Sequence, residues 1–131
     1  MKNIIIVTGG AGFVGSNLIE FLLTKTDYRI ISLDNYSTGN KKNHLKNKRV
    51  DYIKCNTSEI NKVLKKKRKK IKLIFHFGEF ARIYQSFEKF DDCLKSNSIG
   101  SKEVFKFCLK ISLILLFDLP PYLILTKILL I

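Results

Sequence analysis

The sequence has few of the residues that define several common classes of protein. Its 131 residues include no tryptophan, two prolines, one methionine and three cysteines. Cys55, Cys93 and Cys108 are odd in number and form no C-x-x-C pair, which argues against a disulfide framework and against a zinc site. The two histidines, His44 and His76, have no partner at metal-ligand spacing. We therefore expect reduced thiols and no metal centre.

Acidic residues are also scarce: 11 aspartates and glutamates accompany 24 lysines and arginines, for a net charge of +13. Such an excess is compatible with a polyanionic partner, or with a lysine-rich composition spread over solvated surfaces. The length suits one domain with a core, since a chain of this size buries roughly two thirds of its unfolded surface. The N-terminal run resembles a strand rather than a basic region followed by a cleavable apolar segment. We therefore expect no signal peptide and a cytoplasmic protein.

The most informative stretch is IIIVTGGAGFVGS at residues 4–16. Four consecutive β-branched residues predict a strand buried on both faces, and an amphipathic run begins at Phe13. Strand, glycine turn and helix in this order predict a dinucleotide site rather than an ordinary loop. Gly9 permits the tight turn, Gly12 lets a pyrophosphate approach the backbone, and Gly15 lets the helix pack against the strand. The N–H groups of the helix N-terminus then face the anion.

A second signal lies at the expected distance from this turn. An apolar run ends in Asp34, 19 residues after Gly15. A carboxylate at the end of the second strand can accept hydrogen bonds from both ribose hydroxyls of an adenosine, and it repels a 2'-phosphate. The spacing therefore favours NAD over NADP.

Apolar spacing also predicts the remaining elements. We expect strands at 3–8, 29–34, 50–55 and 71–77, with 111–117 as a fifth, and helices at 13–25, from 57 or 58 to 70, 82–94 and 97–110. Leu18, Phe21 and Leu22 are expected to face the sheet. Gly100 is expected to pack closely on a neighbour, because glycine otherwise weakens a helix. His44 is expected at the surface, and His76 in a structural role.

Four segments in this order resemble the extended short-chain dehydrogenase/reductases: TGGAGFVGS at 8–16, DNYSTG at 34–39, FHFGE at 75–79 and NSIGS at 97–101. Within that family the chain is most similar to NAD-dependent nucleotide-sugar epimerases and dehydratases, the group of UDP-glucose 4-epimerase. The resemblance covers about residues 1 to 110. It implies an α/β fold, a Rossmann-type parallel sheet with flanking helices that is incomplete, with four to five strands. It also implies NAD as cofactor, and a nucleotide-sugar substrate in full-length relatives.

The resemblance further implies which residues contact NAD. They follow the first, second, third and fourth strands, and one comes from the N-x-x-G-T-like segment. They are Gly9, Gly12, Phe13, Val14, Gly15, Asp34, Asn35, Tyr36, Ser37, Thr38, Gly39, Asn56, Thr57, Phe77, Gly78, Glu79, Phe80, Ala81 and Asn97. The chain departs from the family pattern at Asn56 and Thr57, which replace an Asp and an apolar residue, and at Glu79, where many relatives have a small residue. A carboxylate there repels a pyrophosphate unless Arg82 pairs with it.

Residues 62–72, which begin with Lys62 and end with Lys72, contain six consecutive cations at 65–70. They favour either a solvated helix end, where cations meet the negative end of the helix dipole, or a surface for nucleic acid or an anionic membrane. No aromatic residue interleaves the run to stack on bases, which makes nucleic acid the weaker alternative. This basic module is the alternative function that the sequence offers.

The resemblance ends after residue 110. Complete relatives have a Tyr-x-x-x-Lys pair on a helix, and no tyrosine here is followed by lysine at that spacing. We therefore expect a truncated NAD-binding Rossmann domain at 1–110, without a substrate-binding part and without catalytic residues. The apolar tail at 111–131 is compatible with a frameshift or premature end, with a membrane segment, or with a docking or dimerisation tail. Asp118 and the proline pair at 120–121 weigh against a membrane span.

Overall fold

The computed structural model describes residues 3–111 and the backbone of residues 115–117. This part of the chain alternates strands with helices. The strands are β1 (Ile4–Thr8), β2 (Arg29–Asp34), β3 (Val50–Lys54), β4 (Ile71–His76) and β5 (Leu115–Phe117). The helices are α1 (Phe13–Lys25), α2 (Ile60–Val63), α3 (Ile83–Glu88), α4 (Phe90–Leu94) and α5 (Ser101–Lys110).

The strands form one parallel sheet in the order β3-β2-β1-β4-β5. This is the order of an open, doubly wound Rossmann-type sheet, and it confirms the predicted fold class. The chain crosses back over β1 between β3 and β4. The crevice at the carboxyl ends of β1 and β4 is therefore where this topology accepts a ligand.

The first strand is buried on both faces, as its composition predicts. Ile4 and Ile6 point to one face, and Ile5 and Val7 to the other, because side chains alternate along a strand. Each face has its own core cluster. The first is completed from the α2 and α5 side by Ile60, Leu64, Val104, Phe107 and Cys108. The second is completed by Ile19 and Leu22 of α1, with Ile30 and Phe75.

Helix α1 has the predicted bounds, but its buried stripe differs in part from the expectation. Leu22 is buried, Leu18 is half-buried and Phe21 is 52% exposed. The stripe against the sheet is instead made by Gly15, Ile19 and Leu22, which lie four and three residues apart. Phe21 is two residues beyond Ile19, which places it on the opposite side of the helix.

The predicted helix through the basic run is wrong. A 3₁₀ turn at Thr57–Glu59 leads into α2, which ends at Val63, and turns follow as far as Arg68–Lys70. A helix over 65–70 would place like charges three and four residues apart, where they repel one another.

The region 82–110 was predicted as two helices, and the structure divides it further. Short helices α3 and α4 come first, a π-helical turn spans Lys95–Gly100, and α5 follows. The side chains of α3 and α4 are largely exposed, including Ile83 at 75% and Phe87 at 80%. The prediction that Gly100 packs closely is confirmed, since an added Cβ would overlap Thr57 Oγ1.

The fifth strand pairs with the carboxyl half of β4, His76 facing Phe117, within the predicted range 111–117. The rest of the apolar tail, 118–131, lies outside the described residues. Among the helices that the structure describes, none combines the length and apolarity that a membrane crossing requires.

Candidate dinucleotide-binding site

The turn after β1 and the helix that follows it require glycine at positions 9 and 15. Gly9 has φ +71°, in the left-handed region that disfavours other residues, and a Cβ there would lie 2.6 Å from the carbonyl oxygen of Phe77. A Cβ on Gly15 would overlap the backbone of Gly9 and Gly10. The glycines therefore let β1, β4 and α1 approach one another closely, as the motif predicts.

Gly12 plays a different part, because an added Cβ there would meet one atom, Gly9 O at 3.3 Å, and otherwise open space. Gly12 is the N-cap of α1, where it offers no side-chain hydrogen bond, and the first turn of this helix contains no acidic side chain. The N–H groups of Phe13 and Val14 belong to that first turn and have no acceptor within the helix. This N-terminus presents a partial positive charge to a nearby anion.

Asp34 lies at the carboxyl end of β2, 7% exposed. Its Oδ2 accepts a hydrogen bond from the N–H of Ala11 at 2.9 Å, and its Oδ1 accepts one from the N–H of Tyr36 at 2.8 Å. Gly39 lies against the same carboxylate, since a Cβ there would be 3.0 Å from Oδ1. Each oxygen keeps a lone pair for a further donor.

A cavity of about 630 Å³ joins these features. It extends along the carboxyl edge of the sheet, from the ends of β2 and β3, past the glycine turn, to the segment after β4. Its volume suits an organic cofactor. Thirteen of the predicted residues line it: Gly9, Gly12, Asp34, Asn35, Ser37, Thr38, Gly39, Asn56, Thr57, Phe77, Gly78, Glu79 and Phe80.

The other predicted residues lie elsewhere. Gly15 packs beneath the turn, and the side chains of Phe13, Val14 and Ala81 are exposed and do not line the cavity. Asn97, expected to contact the cofactor, binds the backbone of Phe80 instead: its Oδ1 accepts from the N–H at 2.6 Å and its Nδ2 donates to the carbonyl at 3.0 Å. Asn97 therefore fixes the segment after β4 rather than lining the cavity.

Tyr36 also turns away from the cavity, and here the expectation for His44 is wrong. The Tyr36 hydroxyl lies 2.9 Å from Nε2 of His44, and the His44 ring stacks on Tyr52 with centroids 3.8 Å apart. The Tyr52 hydroxyl accepts the N–H of Leu45 at 2.9 Å. Burial, followed by the charge of Asp34, raises the pKa of Tyr36. This cluster fastens the loop after β2 to β3, so His44 is half-buried and structural rather than a surface residue.

Sequence reasoning missed part of the cavity wall. The missed residues come from the ends of β2 and β3, the turn before α2, α4, and the π-helical turn that follows α4. They are Leu33, Lys54, Cys55, Ser58, Glu59, Asp92, Lys95, Ser96 and Ile99. Their position after a parallel strand could have suggested Lys54 and Cys55. Burial raises the pKa of Cys55 to about 11, so this thiol is protonated at neutral pH.

His76, at the end of β4, is fully buried and bound on both ring nitrogens. The hydroxyl of Thr8 accepts the N–H groups of Phe77 and Gly78 at 3.1 and 3.0 Å, so its own proton points to Nδ1 of His76, 2.6 Å away. Nδ1 is then an acceptor and the ring proton is on Nε2. Burial lowers the pKa of His76 to about 4, so the ring is neutral at pH 7. This is the structural role expected for it.

The chain of hydrogen bonds continues to the cavity. Nε2 of His76 lies 3.0 Å from Ser101 Oγ, and Ser101 donates its proton to Oε1 of Glu79 at 3.0 Å. Glu79 is thus held by Ser101, rather than by the pairing with Arg82 that the sequence suggested. The contact between Glu79 and His76 at 4.0 Å is not an ion pair at neutral pH, since the ring is uncharged.

The sequence and the fold are similar to those of known proteins. A model of the NAD dependent epimerase/dehydratase family matches residues 5–117. An uncharacterised protein of Methanocaldococcus jannaschii is 34% identical over 116 residues, which are 81% of this chain and 35% of that protein.

Two solved structures are similar as well. UDP-glucose 4-epimerase of Thermotoga maritima, solved with UDP-glucose, superposes with a TM-score of 0.77 at 26% identity, over 87% of this chain and 37% of that one. UDP-glucose 4-epimerase of Thermus thermophilus, solved with NAD, gives a TM-score of 0.70 at 26% identity, over 83% and 34%. The chain spans about a third of the length of these relatives. With the family model matching most of its length, the chain belongs to the NAD dependent epimerase/dehydratase family.

Proposed function

We propose that this chain binds NAD along the carboxyl edge of its sheet, as the N-terminal portion of a nucleotide-sugar epimerase/dehydratase-like protein. The observation that carries the proposal is one cavity that unites the Gly9 turn, the open N-terminus of α1 and the carboxylate of Asp34. The first two suit a pyrophosphate and the third suits a ribose. The family description and the NAD found in the Thermus thermophilus epimerase support the same cofactor.

The residues have distinct parts in this proposal. Gly12 lets the pyrophosphate reach the backbone, and the first N–H groups of α1 meet its charge. Asp34 accepts from the adenosine ribose and excludes a 2'-phosphate, which selects NAD over NADP. Asn56 and Thr57 border the cavity beside Asn35, whose Nδ2 donates to Asn56 Oδ1 at 3.1 Å. Asn35 and Asn56 thus form the part of the cavity that meets the adenine in this proposal.

The proposal does not extend to catalysis by these 131 residues. When bound, NAD supplies a hydride acceptor. In relatives the Tyr of a Tyr-x-x-x-Lys pair acts as the base, and a Ser or Thr aligns the substrate. The sequence contains no Tyr-x-x-x-Lys pair. We infer that the chain binds the cofactor without turning over a sugar nucleotide. We further propose that residues 1–110 are the binding domain and that the protein is cytoplasmic.

Calorimetric titration of the full chain tests the binding. NAD and ADP-ribose are expected to bind, and NADP to bind at least tenfold more weakly. Asp34→Asn is expected to lower NAD affinity. Asp51→Asn provides the matched control, because Asp51 lies near the amino ends of β2 and β3 and does not line the cavity, and there it pairs with Arg29 at 2.9 Å. No NAD binding by a folded chain, or equal losses in both variants, would contradict the proposal.

A basic binding module remains the second candidate, and the contacts of Arg68 show which cations of the run are available to a ligand. Arg68, within the basic run, turns inward: its guanidinium lies 5.7 Å from the ring centroid of Phe107 and 3.2 Å from Asn61 Oδ1. Lys65, Lys66, Lys69 and Lys70 are exposed around it. Their surface predicts steeply salt-dependent binding to nucleic acid or to anionic vesicles. Binding that survives neutralisation of these four lysines would exclude the run as the site.

A further inference from the structure

Glu79 is a cavity carboxylate whose orientation is set from inside the protein. Its Oε1 accepts from Ser101, which is 6% exposed, and Ser101 is fixed in turn by the buried ring of His76. The Glu79 side chain keeps 41% of its surface open. One oxygen is therefore anchored while the carboxylate stays available to a ligand in the cavity.

The position of Glu79 along the sheet determines which part of a bound dinucleotide lies beside its carboxylate. Asp34 is the last residue of β2 and Glu79 lies after the end of β4, and β1 with its glycine turn lies between these strands. A dinucleotide that places its adenosine at Asp34 and its pyrophosphate at the glycine turn extends its second nucleoside toward the β4 side. In NAD that nucleoside carries the nicotinamide ring.

We propose that Glu79 makes this site prefer the oxidised cofactor to the reduced one. The oxidised nicotinamide ring carries a positive charge, which the fixed carboxylate stabilises, whereas the reduced ring is neutral. Glu79 is thus a specificity-determining residue and Ser101 its positioning residue. This inference rests on the proposed binding of NAD.

Other charges lie near Glu79, and the test separates their effect from that of Glu79. His76 is neutral at pH 7, because burial lowers its pKa to about 4, so it leaves the charge of Glu79 intact. Lys54, Lys95 and Asp92 also line the cavity, and each stays unchanged in the Glu79 variant. The parts of their interactions that fall on the pyrophosphate, and the repulsion of the pyrophosphate by Glu79, are common to both redox forms. Their contributions through that group cancel in the ratio of the two affinities.

The test compares this ratio between variants of the full chain. NAD⁺, NADH and ADP-ribose are titrated at pH 7.5 and low salt, NADH by its fluorescence and the others by calorimetry. Glu79→Gln is expected to lower the ratio of NAD⁺ to NADH affinity about tenfold, in line with a partly screened charge pair. The same variant should bind ADP-ribose as well as the wild type does, or better. ADP-ribose has no nicotinamide ring, so it loses no contact with Glu79, and the substitution removes a charge that repels its pyrophosphate.

Glu59→Gln is the matched control. Glu59 also lines the cavity, but it lies on the β3 side, where its Oε2 accepts the N–H of Asn56 at 3.1 Å. Its substitution should leave the ratio unchanged. Ser101→Ala, which releases the Glu79 carboxylate, should reduce the ratio less than Glu79→Gln does, and added salt should reduce the wild-type ratio.

The outcomes separate the two proposals. If wild-type chain binds neither redox form nor ADP-ribose, the proposed function fails and this inference fails with it. If both forms bind and Glu79→Gln leaves their ratio unchanged, NAD binding stands and the role of Glu79 is overturned. An equal drop in the ratio for Glu59→Gln would also overturn it, because the effect would then belong to the net charge of the cavity.

Discussion

The N–H of Ala11 donates to Oδ2 of Asp34 at 2.9 Å, which ties the glycine turn after β1 to the end of β2. A second backbone donor, the N–H of Tyr36, holds Oδ1 at 2.8 Å. The carboxylate is therefore oriented before any ligand arrives, and binding need not order this side chain. Two groups that are 23 residues apart thus form one preorganised element of the candidate site.

This arrangement predicts the cofactor preference of Asp34→Asn. An amide can still accept the N–H of Ala11, but it no longer repels a 2'-phosphate and loses one acceptor for the ribose. We expect the ratio of NAD to NADP affinity to fall about tenfold or more, which corresponds to about 1.4 kcal/mol. Competition titration with both dinucleotides measures it. An unchanged ratio would mean that Asp34 does not meet the ribose.

Gly9 and Gly12 should respond differently to alanine. Gly9→Ala combines a positive φ with an overlap on the Phe77 carbonyl, and should cost about 2 kcal/mol of folding free energy or more. Gly12→Ala, which meets Gly9 O at 3.3 Å, should cost less than about 1 kcal/mol. It should weaken NAD binding, since its methyl group would enter the open space that the proposal gives to the pyrophosphate. Urea denaturation and calorimetry separate the two effects. Equal losses of stability would contradict this division of roles.

Gly100 and Thr57 should be energetically coupled. At a helical position without close neighbours, a Gly→Ala substitution such as Gly100→Ala would stabilise the folded protein by about 1 kcal/mol. Here the methyl group would overlap Thr57 Oγ1, so we expect a loss of about 1 to 3 kcal/mol. Thr57→Ala removes that oxygen, and the double variant should recover most of the loss. Urea denaturation of the four proteins gives the coupling, and additive effects would show that the contact is not formed.

The buried ring of His76 predicts an acid-sensitive fold. Burial lowers its pKa from 6.5 to about 4 in the folded chain. Between pH 6.5 and pH 4 the unfolded chain therefore binds a proton at this ring and the folded chain does not. Stability should be highest above pH 6.5 and fall as the pH drops toward 4, by up to about 3 kcal/mol from this group. Urea denaturation of wild type and His76→Gln at pH 7, 6, 5 and 4 measures the difference. Equal pH dependence in the two proteins would contradict it.

The sheet and the glycine turn were predictable because their signals are local. A run of β-branched residues marked β1 and an apolar run marked β4, and the glycines lie within the turn they form. Helix α5 lies within the predicted range 97–110, but the bounds of the helices between 57 and 100 were not predictable. Repulsion in the basic run ends α2 early, and the contacts of α3 and α4 are not visible in hydrophobic spacing. Asn97 shows the same limit, since both ends of its amide bind Phe80, 17 residues away.

By itself, the sequence determined the strand-turn-helix unit at 4–25 and the acidic end of β2, because glycine freedom and residue spacing are properties of neighbouring residues. Tertiary structure decided which side chains face the cavity. It placed Lys54, Glu59 and Lys95 there, turned Tyr36 toward His44, and anchored Glu79 through Ser101. These outcomes depend on hydrogen bonds and packing between segments far apart in the chain, which only the crossing of strands into one sheet brings together.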